Sequence, residues 1–107
     1  MKKGDIVLIQ FPFTDLTGSK IRPALILIDS HEDVTLCFIT TSFNQQTEYD
    51  IPLSPTDLNG LKKDSLIRIS KIATIDKALI LGRLGTLETH GIRHVNENLV
   101  KILQLKF

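Results

Sequence analysis

The apolar residues in the first two-thirds of this chain occur in runs of only four or five, and this limits the fold more than any other feature. The runs are Ile6–Ile9, Ala24–Ile28 and Leu36–Ile39, and polar or turn-forming residues bound each of them. Apolar runs of this length, rich in β-branched residues, favour strands over helices. Because successive strand residues point to opposite faces, a strand that is apolar throughout is buried on both sides. The pattern therefore predicts a sheet that is closed or covered on both faces.

Weaker strand patterns and one helix complete the predicted elements. The weaker strands lie at Asp50–Leu53, Leu66–Ile69 and Arg83–Thr86, and Asp29–Asp33 is typical of a hairpin tip. Apolar residues then recur at helical spacing near the C-terminus, at Ile92, Val95, Leu99, Ile102 and Leu103. Thr86 or Thr89 is the candidate N-cap of this helix. We predict one mainly β domain over residues 1–107, a small β-barrel with a C-terminal helix packed against it.

The composition excludes several classes of protein. A single cysteine, Cys37, rules out an internal disulfide framework, and its apolar neighbours indicate a buried thiol and not a nucleophile. His90 and His94 lie four residues apart, but no third ligand is suggested, so we predict no metal and no cofactor. No signal peptide or membrane-spanning stretch is recognisable, and the expected location is the cytoplasm.

The formal net charge of +1 conceals two oppositely charged segments. Residues 29–59 hold six acidic residues and no Lys or Arg, whereas residues 60–83 hold six basic residues and two acidic ones. The two segments could pair with each other across a sheet. They could instead form separate faces, one for an anionic ligand and one for a cationic partner.

Three polar clusters are candidates for a ligand site. Lys20 and Arg22 end a connection from Phe11 that is long for a hairpin, Thr40–Ser42 follow a buried strand, and Arg68–Lys71 are placed at the end of another strand. Taken singly, each cluster has a structural explanation. The charges of the first keep a loop soluble, the hydroxyls of the second form a turn, and the charges of the third lie on a solvated strand edge. Taken together, their guanidinium, ammonium and hydroxyl groups are the donors that bind phosphate.

Most of the chain resembles the MazF/PemK toxin family. The segments that carry the resemblance follow one another in the family's order: Gly4–Val7, Phe11–Asp15, Gly18–Leu25, Ile39–Ser42, Asp50–Leu53, Gly60–Leu61, Ser65–Arg68, Lys71–Asp76 and Arg83–Leu87. The most specific of them are the Gly4-Asp5 start and the Arg22-Pro23 pair.

The resemblance implies a fold and an activity. The expected fold is a Src-homology-3-like barrel of the CcdB/PemK type with a C-terminal helix, working as a homodimer. The expected activity is that of a type II toxin, a sequence-specific endoribonuclease that cuts single-stranded mRNA without a metal. In the family the ribose 2′-hydroxyl attacks and leaves a 2′,3′-cyclic phosphate. By resemblance, Arg22 is the catalytic arginine and Thr40 the catalytic threonine.

The resemblance also assigns further residues and partners. The expected RNA-binding residues are Lys20, Thr41, Ser42, Arg68, Ser70 and Lys71. Some family members carry an acid where Ser70 stands, so we consider Asp15 the candidate base instead. The expected protein partner is an antitoxin with an acidic disordered tail, and DNA is contacted only through that antitoxin. Two alternatives stay open: a non-catalytic toxin of the same fold that binds a protein such as gyrase, and an RNA-binding barrel with a decayed site.

Overall fold

The structure, a computed structural model, describes residues 1–12 and 19–107. Within these residues six strands form one antiparallel sheet in the order β4-β5-β3-β2-β1-β6. The elements are β1 (Asp5–Pro12), β2 (Ser19–Asp29), β3 (Asp33–Thr40), β4 (Ile51–Leu53), β5 (Ser65–Asp76), a 3₁₀ turn (Lys77–Leu79), β6 (Ile80–Thr86) and the helix α1 (Thr89–Ile102). The mainly β fold with a C-terminal helix is confirmed.

The central strands are buried on both faces, as their uniform apolar character predicts. Ile6 of β1 and Leu25 of β2 pack in one cluster with Val95 of α1. Val7 and Ala24, their neighbours along the same two strands, belong to a second cluster on the opposite face. The helix therefore covers one side of the sheet, and the second apolar cluster fills the other.

β-Bulges bend the strands at several places. The β1–β6 register shifts twice, and the β2–β3 register shifts between Ile26 and Ile28. The largest shift is in β5, where Cys37 faces Ile72 but Ile39 faces Ile67. Two steps along β3 thus correspond to five along β5. An inserted residue bends a strand and increases its twist, which is how a sheet curls toward a barrel.

The turn that follows β4 links the two edge strands of the sheet. The Thr86 N–H of β6 donates to the Leu58 carbonyl over 2.9 Å. Asn59 is buried, and its side-chain oxygen accepts from the N–H groups of Thr56 and Leu61 over 3.0 and 2.9 Å. A side chain on Gly85 would collide with this turn, so a glycine is required there. The turn at residues 54–60 therefore joins β6 to the segment that follows β4.

Two strands are longer than their apolar runs predict. β2 begins at Ser19, so Lys20 and Arg22 lie within a strand and not in a loop, because they pair with Phe11 and Ile9 of β1. β5 continues to Asp76, so the Arg68–Lys71 cluster lies inside a strand and not at its end. An apolar run marks only the part of a strand that is buried on both faces, whereas hydrogen bonding to a neighbour extends it further.

The helix begins differently from its predicted start. Its N-cap is Glu88, which makes no side-chain capping bond, so the prediction of a threonine cap at Thr86 or Thr89 is wrong. The Thr86 hydroxyl instead donates to the Gly4 carbonyl over 3.3 Å. In the described part of the chain, no helix has the length and apolar character needed to cross a membrane.

Gly4 joins the start of the sheet to the helix. Its φ of 96° lies in the region that favours glycine, and a Cβ there would stand 2.7 Å from Ile92 Cδ1 of α1. Its N–H donates to the Ile26 carbonyl over 2.9 Å, and its carbonyl accepts from the Leu87 N–H over 2.8 Å. The backbone conformation at residue 4 and the packing of α1 against it therefore both require the glycine of the Gly4-Asp5 start.

Replacing Gly4 by alanine tests this constraint. We expect Gly4→Ala to lower the free energy of unfolding by about 1–3 kcal/mol, since the new Cβ is strained at this φ and meets Ile92. Urea denaturation followed by circular dichroism measures the change. Gly82→Ala is the matched control, because no atom of residues 1–12 or 19–107 lies within 4 Å of a Cβ there, and it should shift stability by less than about 1 kcal/mol. Equal effects at both sites would contradict the account.

Candidate functional site

The two predicted catalytic residues lie close to the point where β2 and β3 pair. Ala24 of β2 pairs with Phe38 of β3, Arg22 lies two residues before Ala24, and Thr40 lies two residues after Phe38. Both residues line one open pocket of ≈340 Å³. Five of the predicted site residues share it: Lys20, Arg22, Thr40, Thr41 and Ser42. The strand ends thus gather the first two polar clusters of the sequence into one site.

The backbone orients the Thr40 hydroxyl. Its oxygen accepts a hydrogen bond from the Ser42 N–H over 3.1 Å. Because that bond occupies an oxygen lone pair, the hydroxyl proton remains available for an acceptor in the pocket. Thr41 and Ser42 are exposed beside it. A phosphate oxygen is an acceptor of the required kind.

The cations of the pocket are not neutralised by described carboxylates. Arg22 is half-buried and Lys20 exposed. Neither forms an ion pair with a carboxylate of residues 1–12 or 19–107. A guanidinium offers a planar fork of donors that matches two oxygens of a phosphate. The pocket therefore has the charge and the donors to bind an anion.

Asp50, whose role the sequence did not reveal, organises the neighbouring part of β5. Its side chain is 0% exposed, and Oδ2 lies 3.0 Å from Arg68 Nε. Oδ2 also accepts from the Thr47 N–H and Oδ1 from the Ile69 N–H, each over 3.0 Å. Ile69 lies in the stretch of β5 where the register with β3 shifts. The carboxylate thus satisfies a backbone donor at the bulge and neutralises Arg68.

Ion pairs between the acidic and the basic segment explain part of the charge pattern. The ion pairs Asp50–Arg68 and Asp29–Lys77 each join the acidic segment to the basic one. The Lys77 ammonium lowers the pKa of the Asp29 carboxyl through a hydrogen bond. Pairing between the segments therefore accounts for part of the pattern. Lys62 and Lys63, also from the basic segment, form no ion pair with a described residue.

The remaining predicted site residues lie outside the pocket lining. Arg68, Ser70 and Lys71 are on β5, with Ser70 and Lys71 exposed. Asp15 falls outside the described residues. The position of these side chains relative to RNA stays a prediction.

Cys37 is buried, as its apolar neighbours predict. Burial raises the pKa of its thiol to about 12, with a smaller contribution from the charge of Asp50. A thiol that remains protonated is a poor nucleophile. Among residues 1–12 and 19–107, no three His, Cys, Asp or Glu side chains are grouped as ligands for a metal ion.

Fold and pocket together define a small antiparallel β protein with a cationic, hydroxyl-bearing site at the ends of β2 and β3. The model of the family described as PemK-like, MazF-like toxin of type II toxin–antitoxin system matches residues 2–103. The chain belongs to this family. Comparison with curated protein sequences gives no match.

Solved structures share the fold over essentially the whole chain. An endoribonuclease from a mycobacterial species in complex with its cognate antitoxin has a TM-score of 0.79 and 18% identity, covering 100% of this chain and 98% of its own. The Mycobacterium tuberculosis toxin MazF-mt6 has a TM-score of 0.78 and 23% identity, with coverage of 96% and 99%. A further mycobacterial endoribonuclease has a TM-score of 0.75 and 18% identity, with coverage of 100% and 94%. At these identities the likeness concerns the fold.

Asp50→Asn tests the structural role of the buried carboxylate. The amide would turn a donor either toward the Thr47 N–H and Arg68 Nε or toward the Ile69 N–H, and Arg68 would lose its counter-charge in both cases. We expect the free energy of unfolding to fall by about 2–4 kcal/mol, measured by urea denaturation. Asp57→Asn makes the same chemical change at an exposed residue and should cost less than about 0.5 kcal/mol. A wild-type denaturation midpoint for Asp50→Asn would refute the assignment.

Proposed function

We propose that this MazF-like toxin is an endoribonuclease that cleaves single-stranded RNA in the Arg22–Thr40 pocket, at specific sequences and without a metal ion. The observation that carries the proposal is that Arg22 and Thr40 both line one pocket. A half-buried guanidinium and an oriented hydroxyl are suited to a phosphodiester. Family membership supports the same activity.

The proposed reaction is an in-line attack within the substrate. The ribose 2′-oxygen forms a bond to phosphorus as the bond from phosphorus to the 5′-oxygen breaks. The 2′-hydroxyl proton passes to a base, and the leaving 5′-oxygen takes up a proton. The products are a 2′,3′-cyclic phosphate and a free 5′-hydroxyl, so water is not consumed in this step.

Arg22 and Thr40 take complementary roles in that step. Negative charge builds on the non-bridging phosphate oxygens, and the Arg22 guanidinium neutralises it with two parallel hydrogen bonds. The Thr40 hydroxyl donates to a phosphate oxygen and holds the phosphorus in line with the 2′-oxygen. The Ser42 N–H fixes the threonine oxygen, so this geometry is set before substrate binds.

The proposed base is Asp15. The described lining of the pocket contains no carboxylate or imidazole. Ser70 is a poor base, because a serine needs an activating neighbour and none among residues 1–12 and 19–107 is hydrogen-bonded to it. Asp15 belongs to the segment that connects Pro12 to Ser19, and Ser19 precedes Lys20 of the pocket.

The other predicted contacts differ in their support. Lys20, Thr41 and Ser42 share the pocket with the catalytic pair. Ser70 and Lys71 are exposed and able to meet a longer RNA. Arg68 has the weakest support, since its Nε is held by Asp50 and only 14% of its side chain is exposed.

We propose two protein partners. The first is an antitoxin, because the family consists of toxins of toxin–antitoxin systems, and its acidic tail would cover Lys20 and Arg22. DNA would be contacted only through this antitoxin. The second is another copy of the chain, supported by exposed apolar side chains at Ile21, Ile72 and Leu81. The cytoplasm, where mRNA is translated, is the proposed location.

Loss of the Arg22 guanidinium tests the proposal. We expect Arg22→Ala to lower the cleavage rate of a single-stranded RNA by ~10²-fold or more, because the contact is strongest in the transition state. Arg22→Lys should recover part of the rate, since it keeps the charge but not the planar fork. Cleavage is followed by gel electrophoresis in EDTA, and mass spectrometry identifies the product ends.

The controls separate the alternatives. Arg93→Ala removes an exposed arginine of α1 and should leave the rate unchanged. Cyclic-phosphate ends from the wild-type protein support the nuclease. Intact RNA with gyrase inhibition would favour the protein-binding toxin, and intact RNA with tight binding the decayed site. Wild-type cleavage by Arg22→Ala would refute the catalytic assignment.

A further inference from the structure

A second pocket of ≈300 Å³ adjoins the first. Pro23 and Thr41 line both pockets, so the two cavities share a wall. Side chains of Leu8, Leu61 and Leu84 give the second cavity a largely apolar lining. Its volume is at the lower end for small-molecule sites, which begin at roughly 300 Å³.

The cavity is built from well-fixed backbone. Leu8 of β1 lies directly opposite Pro23 of β2 in the sheet register. Gly60 has a φ of 70°, and its Cα abuts the Leu84 backbone so closely that a side chain has no room there. Leu61 follows Gly60 and is buried. The cavity is therefore a feature of the fold and does not depend on the rotamers of exposed side chains alone.

The charge around this cavity favours an anionic ligand. Lys62 and Lys63 belong to its lining and are exposed, and neither forms an ion pair with a described residue. The described lining contains no acidic residue. Lys20 and Arg22 stand in the adjoining pocket, on the other side of the shared wall. Both cavities therefore have cationic side chains in their lining.

We propose that this second cavity binds the base of a nucleotide adjacent to the cleaved phosphate and thereby sets the sequence preference of cleavage. An apolar cavity suits the faces of a nucleobase, and the two lysines suit the phosphate next to it. Thr41 lies on the shared wall, and its hydroxyl would donate to or accept from an edge of the base. A second copy of the chain fits less well, since docking it would bury two lysines without a described counter-charge.

This inference rests on the proposed endoribonuclease function, and abasic substrates test the two separately. In a cleavable RNA, each base near the cut is replaced in turn by an abasic site, and kcat/KM is measured. One such replacement should lower kcat/KM of the wild-type protein about 10-fold. Leu8→Phe narrows the cavity, so this variant should cleave the intact RNA more slowly and lose the abasic penalty.

The lysines provide a second test that does not depend on repacking the cavity. Lys62→Ala with Lys63→Ala should reduce the slope of log(kcat/KM) against log[salt] by about 0.7 for each lysine. Lys101→Ala with Lys106→Ala, at exposed positions in and after α1, is the matched control and should leave the slope unchanged.

The outcomes distinguish the two proposals. Failure of the wild-type protein to cleave any RNA would overturn the endoribonuclease and the base site together. Wild-type cleavage that is insensitive to every abasic replacement would overturn the base site alone. An unchanged salt slope in the lysine variant, or an altered oligomeric state in folded Leu8→Phe, would likewise overturn it.

Discussion

The buried carboxylate of Asp50 supports the bend in β5 on which the curvature of the sheet depends. On one side of the bulge, Ile67 and Ile69 pack in the cluster covered by α1, whereas beyond it Ile75 packs in the opposite cluster. All three are odd-numbered, so a regular strand would keep them on one face. The register shift moves them to different faces, and Asp50 Oδ1 accepts the Ile69 N–H within that shift. A charged group is tolerated in this buried place because three donors bind it, and one of them, Arg68 Nε, also carries the counter-charge.

The same carboxylate limits the freedom of the segment that leaves the Arg22–Thr40 pocket. Residues 41–50 begin beside Thr40 and end at Asp50, which also accepts from the Thr47 N–H. Asn98 of α1 donates to the Tyr49 carbonyl over 2.8 Å, so the helix holds this end as well. At the other end of the segment, Thr40 lines one pocket with Arg22 of the neighbouring strand β2. A slip of one residue would turn one of these side chains to the opposite face and separate them.

Sequence patterns could predict the parts of the fold that local chemistry determines. The runs of apolar residues place the strands, and the spacing of Ile92, Val95 and Leu99 places the helix. They could not predict that β2 extends back to Ser19, because that depends on pairing with β1. The family resemblance predicted Arg22 and Thr40 as catalytic residues, and in the structure the two line one pocket. The buried role of Asp50 could not be predicted, because in the sequence a buried aspartate is the same as any other acidic residue until its partners from β5 are known.

The central claim is that the phosphate to be cut lies between Arg22 and Thr40. A crystal structure with an RNA oligonucleotide that carries a 2′-deoxy nucleotide before the cut, and so cannot be cleaved, measures this directly. The account predicts that phosphate oxygens lie about 3 Å from the Arg22 guanidinium and from Thr40 Oγ1. A phosphate bound instead against Ser70 and Lys71 on β5, with Arg22 and Thr40 free of the RNA, would contradict it.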